Sequence, residues 1–338
     1  MSPLKKIFYK TGSCFSMQFL QKISPVTTLF PYHHTVSNDK LPHIHHLYPY
    51  KNISRFKEDI DILLKHNKPI SANDLLQCLA ENKPFPKKTF LLSFDDGFRE
   101  VYDTVAPLLE SKGVPAIFFI NPAFIDNKEL FFRCKTSLLI DYLLKNTYID
   151  TIKEYRHHLN LPGSTATKII SELKEIKFNS TETVDELAQK INYSFDDFLK
   201  INRPFLTTDN LLSLKKRGFT IGAHSMNHPY YEQLELTEQL DQTVSSCNYV
   251  QQNTTMDKQF FSFPYTDENL PQNLFDELKK TSIDLLFGVQ NQKEELNNKM
   301  VHRFNAERPV IKFDHQLKGI LLMAAINKFA GSNKVKRL

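Results

Sequence analysis

Two short stretches carry side chains whose types and spacing suit metal-assisted chemistry. The first is Ser93-Phe94-Asp95-Asp96-Gly97, where an apolar run beginning at Thr89 ends in two adjacent carboxylates. The second is His224-Ser225-Met226-Asn227-His228, where another short apolar run, 219–223, ends in imidazoles four residues apart. Two histidines and one carboxylate form a donor set for a divalent ion that keeps open positions, and such an ion acidifies bound water. Asp96 is the candidate third ligand. Taken singly, each stretch has a bland reading. An Asp at a strand-to-helix turn is often an N-cap, and a chain with 12 histidines yields His-x-x-x-His spacings by chance. Two strand ends of matching form, one offering Asp-Asp and one offering His and His, argue for a shared site.

Residues so far apart in sequence meet only if a regular scaffold brings their strand ends together. Apolar runs at 27–33, 89–94, 116–120, 259–263, 285–289 and 300–304 accompany the run at 219–223. Between them lie helical patterns at 54–66 with Ser54 as its cap, 73–81, 99–112, 207–217 and 237–252, and a short strand is expected at Pro69-Ile70. Strands covered on both faces and alternating with helices read as α/β with a parallel sheet, whose C-terminal strand ends and following loops carry the chemistry. Gly97 frees the backbone to turn there, and Gly113 stops the helix that follows. From 126 to 204 the pattern changes to helices without strands, at 130–146, 152–158, 167–178 and 184–191. This insertion is expected either to wall the site or to extend the core or an oligomer contact. Arg133, in Phe131-Phe132-Arg133-Cys134, is its one cation set among aromatics and a candidate contact for substrate.

Composition narrows the function classes. With 338 residues, 41% hydrophobic and 24% charged, the chain fits one large globular domain. Its net charge of +5 is spread widely. The one basic concentration, 334–337, reads as a solvated tail, so a nucleic-acid partner is not expected. Cys14, Cys78, Cys134 and Cys247 show no metal or redox spacing and read as free thiols. With polar residues interrupting the first 21 positions, this implies action in the cytoplasm without a cleaved signal. No stretch reaches the length of a membrane span, and 320–330 reads as an amphipathic terminal helix packed on the fold. Five histidines fall between His33 and His46, in a proline-bearing segment that could also bind metal alone.

Ser93-Phe94-Asp95-Asp96-Gly97 resembles the first signature of the polysaccharide deacetylases (the NodB homology domain, or carbohydrate esterase family four), and His224-Ser225-Met226-Asn227-His228 resembles the second. The resemblance implies a distorted (β/α)7-type barrel with a helical insertion: 1–26 as an N-terminal extension, 27–314 as the barrel with 126–204 inserted, and 315–338 as a C-terminal helix and basic tail. It implies Asp95 as general base and Asp96, His224 and His228 as ligands of a divalent metal, most often Zn2+. Members that open with a Tyr-His strand resemble a circularly permuted arrangement, which makes His33 of Tyr32-His33 the general acid. His34 replaces it if the register slips by one, and His302 is a third candidate. Pro264 and Tyr265 match a groove and oxyanion element that is often preceded, two residues earlier, by an Arg paired with the base. Here that position is Ser262, so either another cation, such as Arg303, restrains Asp95 or the base is tuned differently; Arg303 is also a candidate contact for substrate. The implied activity is hydrolysis of the N-acetyl amide of an acetylated sugar or polysaccharide. The alternatives are a carbohydrate-binding protein without turnover and a hydrolase of another small amide or imide.

Overall fold

The computed structural model describes residues 3–146, 149–295 and 299–337. Its strands are short, two to five residues each. In chain order they are β1 (Thr28–Leu29), β2 (Pro31–His33), β3 (Lys68–Pro69), β4 (Thr89–Phe90), β5 (Leu92–Phe94), β6 (Ala116–Ile120), β7 (Thr220–Ala223), β8 (Phe260–Ser262), β9 (Leu285–Gly288), β10 (Met300–His302) and β11 (Phe304–Asn305). One parallel sheet runs β10-β9-β8-β7-β6-β5-β2-β11, and a smaller one, β1-β4-β3, continues two of these strands toward their N-terminal ends.

The sheet ends meet. β10 and β11 are one extended segment divided only at Arg303, with its first half on β9 and its second half on β2. Arg303 N–H donates to the Gly288 carbonyl (2.8 Å) and Phe304 N–H to the Phe30 carbonyl (3.0 Å). Counting that segment once, the nearly closed barrel has seven staves, which agrees with the expected (β/α)7-type architecture. Closure leaves no open sheet edge at this seam.

Parity along each stave sets the interior. Phe30, Leu91, Ile117, Phe119, Phe260, Leu285, Phe287 and Val301 pack together inside the barrel. The alternate residues Phe94, Phe118 and Ile221 join the larger core beneath the surrounding helices. Side chains two residues apart share a face. Ser93 and Asp95 therefore stand above Leu91, Ser262 above Phe260 and Arg303 above Val301.

Several helix ends differ from the sequence reading. The helix Ile53–His66 is capped by Asn52, whose side chain accepts from Arg55 N–H, and not by Ser54. The helix expected over 99–112 starts as a π-helical turn, Val101–Val105, before Ala106–Ser111. Pro107 lacks the N–H needed to continue the regular i to i−4 ladder there, which accounts for the wider turn. The insertion contains the expected helices plus Phe195–Asn202, and buries its own cluster of Leu139, Leu143, Tyr155, Leu173 and Leu187.

Helices Pro3–Gly12 and Met17–Ile23 pack against the last helix, Phe313–Phe329. Gly12 and Gly319 allow the close crossing, since a Cβ on Gly12 would lie 2.7 Å from the Gly319 nitrogen. The tail expected to be solvated is instead anchored. Val335 is buried, and Arg337 pairs with Asp267 (3.0 Å) and Glu295 while lying over the Phe275 ring. Among the described residues no helix is long and apolar enough to cross a membrane.

Candidate active site

Asp95 and Asp96 follow β5 at the C-terminal end of the barrel, and the turn after them needs Gly97 at φ +65°, with the Ile120 side chain 3.2 Å from where its Cβ would lie. Asp95 is buried and clamped by Arg303, whose Nη1 donates to Oδ1 (2.7 Å) and Nη2 to Oδ2 (2.8 Å). The same guanidinium donates to the Ser93 hydroxyl (2.9 Å) and the Ser262 hydroxyl, and lies 4.6 Å from the Tyr32 ring centroid. Burial alone would raise the Asp95 pKa; the Arg303 charge, helped by His224, outweighs it and holds the carboxyl below its ordinary value. Arg303 thus sits behind the carboxylate as its counter-ion rather than on the cavity wall as a substrate contact.

Asp96 turns the other way, with its backbone in the left-handed region at φ 73°. Its Oδ1 lies 3.2 Å from His228 Nε2 and 3.6 Å from His224 Nε2, and Oδ2 accepts from the Tyr48 hydroxyl (3.1 Å). His224 donates from Nδ1 to the Ser262 carbonyl (2.7 Å), which leaves the Nε2 lone pair toward Asp96. Burial lowers the His224 pKa to about 4, so this imidazole is neutral at physiological pH. His228, itself at φ 60°, is placed by the Ser225 hydroxyl, which accepts its N–H (3.1 Å), and by the Phe131 ring 4.5 Å away. Candidate ligand atoms of Asp96, His224 and His228 all lie within 4.8 Å of one another.

This donor set fits a divalent ion. Asp96 Oδ1 is buried with no hydrogen-bond partner. Such an orphaned carboxylate oxygen, beside a neutral imidazole lone pair, is what a metal site leaves when described by protein atoms alone.

The expected general acid is in the wrong row. β2 pairs with β5 so that Tyr32 lies beside Ser93 and His33 beside Phe94. Tyr32 therefore faces the interior and His33 faces out, stacked on Phe94 (5.5 Å) and edge-on to Phe56 (5.2 Å). Burial lowers its pKa well below the ordinary value. Parity places His34 back on the inner side, and it lines the cavity together with Tyr32, Asp95, Asp96, His224 and His228. Its Nδ1 pairs with Glu307 Oε2 (2.6 Å), while Glu307 Oε1 accepts the backbone N–H of His34 (2.7 Å) and Thr35 (3.1 Å). Although burial lowers the His34 pKa, the Glu307 charge and hydrogen bond raise it to about 9. His302 faces outward between Asp267 and Glu295, away from the cavity.

The cavity encloses about 380 Å³. Tyr265, at φ 54°, forms one wall, stacked on Tyr230 at 3.8 Å and edge-on to His228 at 4.5 Å. Pro264 is buried before it and does not line the cavity. Phe131, Arg133 and Lys174 also line the cavity, so residues of the insertion do wall the site. Arg133 is held over Phe132 (4.7 Å) and donates to the Tyr230 hydroxyl and the Lys174 carbonyl (2.6 Å). Glu307, Tyr48 and Asn121 were missed by sequence reasoning. Asn121 follows β6 and donates to the Ser225 carbonyl (3.0 Å), bracing the turn between the two histidines. Its position at the end of an apolar strand, matching those of Asp95 and His224, was the available signal.

With this geometry in hand, comparison with known families is direct: the polysaccharide deacetylase model matches residues 82–285, well over half of the chain. The chain belongs to the polysaccharide deacetylase family. No curated protein sequence matches it. Among solved structures it is similar to the Streptococcus pyogenes deacetylase PplD in complex with acetate, at 12% identity and TM-score 0.57, covering 88% of this chain and 99% of that one. It is also similar to IcaB from Ammonifex degensii, at 12% identity and TM-score 0.53, covering 86% and 98%. A third is BC0361, a polysaccharide deacetylase from Bacillus cereus, at 9% identity and TM-score 0.51, covering 86% and 69%. At such identities the likeness is one of fold. The family match begins after β2, so it does not extend to the Tyr-His strand.

Proposed function

We propose that this deacetylase-family chain is a metal-dependent amidase that removes acetyl groups from an N-acetylated carbohydrate. The observation that carries the reading is the pairing of a clamped carboxylate, Asp95, with the Asp96–His224–His228 cluster at one cavity floor: Asp95 Oδ2 is 4.0 Å from His224 Nε2. A divalent ion held by Asp96, His224 and His228, which we assign as zinc, supplies Lewis acidity that acidifies water and polarises the amide carbonyl.

The remaining steps belong to the chain's own groups. Asp95, kept ionised by Arg303, takes the proton of the attacking water. Arg303 fixes both carboxylate oxygens, so the accepting lone pair is presented in one orientation. His34, kept protonated by Glu307, gives a proton from Nε2 to the departing amine. It takes the role that His33 cannot fill from the outer row, and the opening Tyr-His strand keeps its place in the proposal through His34. The backbone at Tyr265 is the candidate donor to the tetrahedral oxyanion. Flat apolar faces at Phe131 and at Tyr265, on which Tyr230 stacks, with Arg133 among them, suit the mixed apolar and hydroxyl surface of a sugar ring. The setting remains intracellular in this proposal, supported by four cysteines that are all unpaired.

Acetate release from acetylated glycans by purified protein tests the reading. Asp95→Asn should keep its metal while turnover falls on the order of 10² to 10⁴-fold, the usual worth of general acid-base catalysis. Metal uptake without acetate release from any acetylated sugar would instead favour a carbohydrate-binding protein on this fold.

A further inference from the structure

The terminal helices carry an unusual surface. Phe15, Phe19 and Ile23 recur every four residues along one stripe ending in the helix Met17–Ile23, and all three are exposed. On the adjoining helix Phe313–Phe329, Ile326 and Phe329 are exposed as well, Phe329 to 98%. Isolated exposed apolar side chains need no explanation, but two neighbouring stripes on packed helices make a patch. Acidic residues are also sparse toward both ends of the sequence. Asp39 is its first acidic residue, and none follows Asp314.

Between the two stripes lies a cavity of about 330 Å³ lined by Lys22, Lys87, Lys88 and Lys328, with Ile23 and Leu321 as apolar wall and no carboxylate in its lining. Gln21 braces one side, donating to the Asn67 side chain (3.1 Å). Some lysines elsewhere do find carboxylates, as with Lys51 and Asp59 or Lys112 and Asp61. Those four lysines have no acidic partner among the described residues. Four like charges around one opening repel each other unless an anion sits between them. Apolar side chains flanking an unpaired basic pocket match the interface of a bilayer, where acyl chains begin just beneath phosphate groups.

We propose that this face docks on the surface of a bilayer containing anionic phospholipids. A lipid phosphate occupies the cavity of Lys22, Lys87, Lys88 and Lys328, and Phe19, Ile23, Ile326 and Phe329 enter the headgroup–acyl boundary. The active-site cavity shares no lining residue with this pocket, so the docking does not depend on the catalytic assignment.

The full chain is tested for co-sedimentation with vesicles of phosphatidylcholine alone and with vesicles in which about one third of the lipid is phosphatidylglycerol. It should sediment with the anionic vesicles, stay in solution with the neutral ones, and be released as salt is raised. A lysine at an anionic surface contributes about fivefold to partitioning, so Lys22→Glu/Lys328→Glu should lower it by about 25-fold or more. Phe329→Ser should lower it about tenfold, and unchanged melting temperatures of both variants, whose altered side chains are exposed, would separate lost docking from lost fold. Equal binding to both vesicle types, binding indifferent to the lysine reversal, or no vesicle binding overturns the proposal. So does saturable binding of inorganic phosphate without vesicle binding, or a dimer that Phe329→Ser dissolves, since a second copy would then cover the patch.

Discussion

Replacing Arg303 by Leu removes the cation clamped onto Asp95 and keeps a buried side chain of moderate volume. In the native chain Arg303 makes two charge-assisted bonds to Asp95, at 2.7 and 2.8 Å, and further bonds to Ser93 and Ser262. Both partners are nearly inaccessible, Arg303 to 1% and Asp95 to 3%. Solvent therefore cannot take the place of the guanidinium. Removing one member of such a buried pair costs about 3 to 5 kcal/mol, mostly because the remaining carboxylate is left charged and desolvated. For 338 residues the unfolding entropy is about 0.7 kcal/mol/K, so the melting temperature should fall by about 4 to 7 °C. Urea unfolding of wild type, Arg303→Leu, Asp95→Asn and the double variant, all with chelator present, gives the coupling directly. We expect about 2 to 3 kcal/mol, with the double variant recovering much of the single loss. The pH dependence has a definite sign. In wild type the Asp95 pKa is depressed below 3.8, so the pair stabilises above that value and its contribution is lost as pH falls through the lower folded value. In Arg303→Leu burial is opposed by the weaker pull of His224 and His34 without the guanidinium, so the Asp95 pKa should rise and the variant's deficit should narrow as pH falls from 7 toward 5. A deficit under about 1 kcal/mol at pH 7, or one no smaller in the double variant, would refute the counter-ion argument.

Three further outcomes follow from the same geometry. His224→Ala should abolish the near-stoichiometric divalent metal expected of purified protein, read by elemental analysis; retained metal would remove His224 from the ligand set. His34→Ala should lose far more activity on an acetamide than on an activated acetate ester, whose leaving group needs no proton, whereas His33→Ala should unsettle packing against Phe56 and Phe94 without that selectivity. Because Glu307 raises the His34 pKa to about 9, amide turnover should hold to that pH and fall as pH rises through it. Glu307→Gln should bring that limb down toward the ordinary value of 6.5, since burial is then opposed by Asp96 and Asp95 without the Glu307 carboxylate. The same pair's contribution to stability is complete below pH 6.5 and lost as pH rises through about 9.

The cluster of Asp96, His224 and His228 was legible in the sequence because each member lies beside a recognisable apolar strand and belongs to a compact local pattern. The same holds for the barrel, whose staves are apolar runs separated by amphipathic helices. Which histidine faces the cavity was less legible because Tyr32-His33-His34 offers two imidazoles in consecutive positions, and only parity against a neighbouring strand tells them apart. That information was in the chain, though not in the Tyr-His pattern. Polar Ser93 and Asp95 alternate with apolar Leu92 and Phe94, which marks the odd positions of that stave as the interior row. Pairing Tyr32 with Ser93 then assigns Tyr32 and His34 to the same row. Glu307 and Tyr48 come from irregular segments after a strand or between elements, where neither periodicity nor spacing announces a role. The basic tail misled for a related reason: four residues of mostly cationic composition look solvated, yet Arg337 finds Asp267 and Glu295 on loops far upstream.

Ser262 stands where the family resemblance leads one to expect an arginine paired with Asp95, and the barrel explains how that carboxylate keeps a cation without it. At the height just below Asp95, the inner row is shared by Ser93, Ser262 and Arg303, contributed by three different staves. A guanidinium reaching this point from any of them meets the same carboxylate. It comes here from the segment that closes the barrel, and Ser262 both leaves room for it and accepts one of its hydrogen bonds. The constraint is on the sum of charge and volume in that layer, so the cation can move from one strand to another while Asp95 keeps its counter-ion. A pattern confined to one strand cannot detect this exchange. The buried carboxylate can, because Asp95 at 3% exposure requires a cation within bonding distance wherever the chain supplies it.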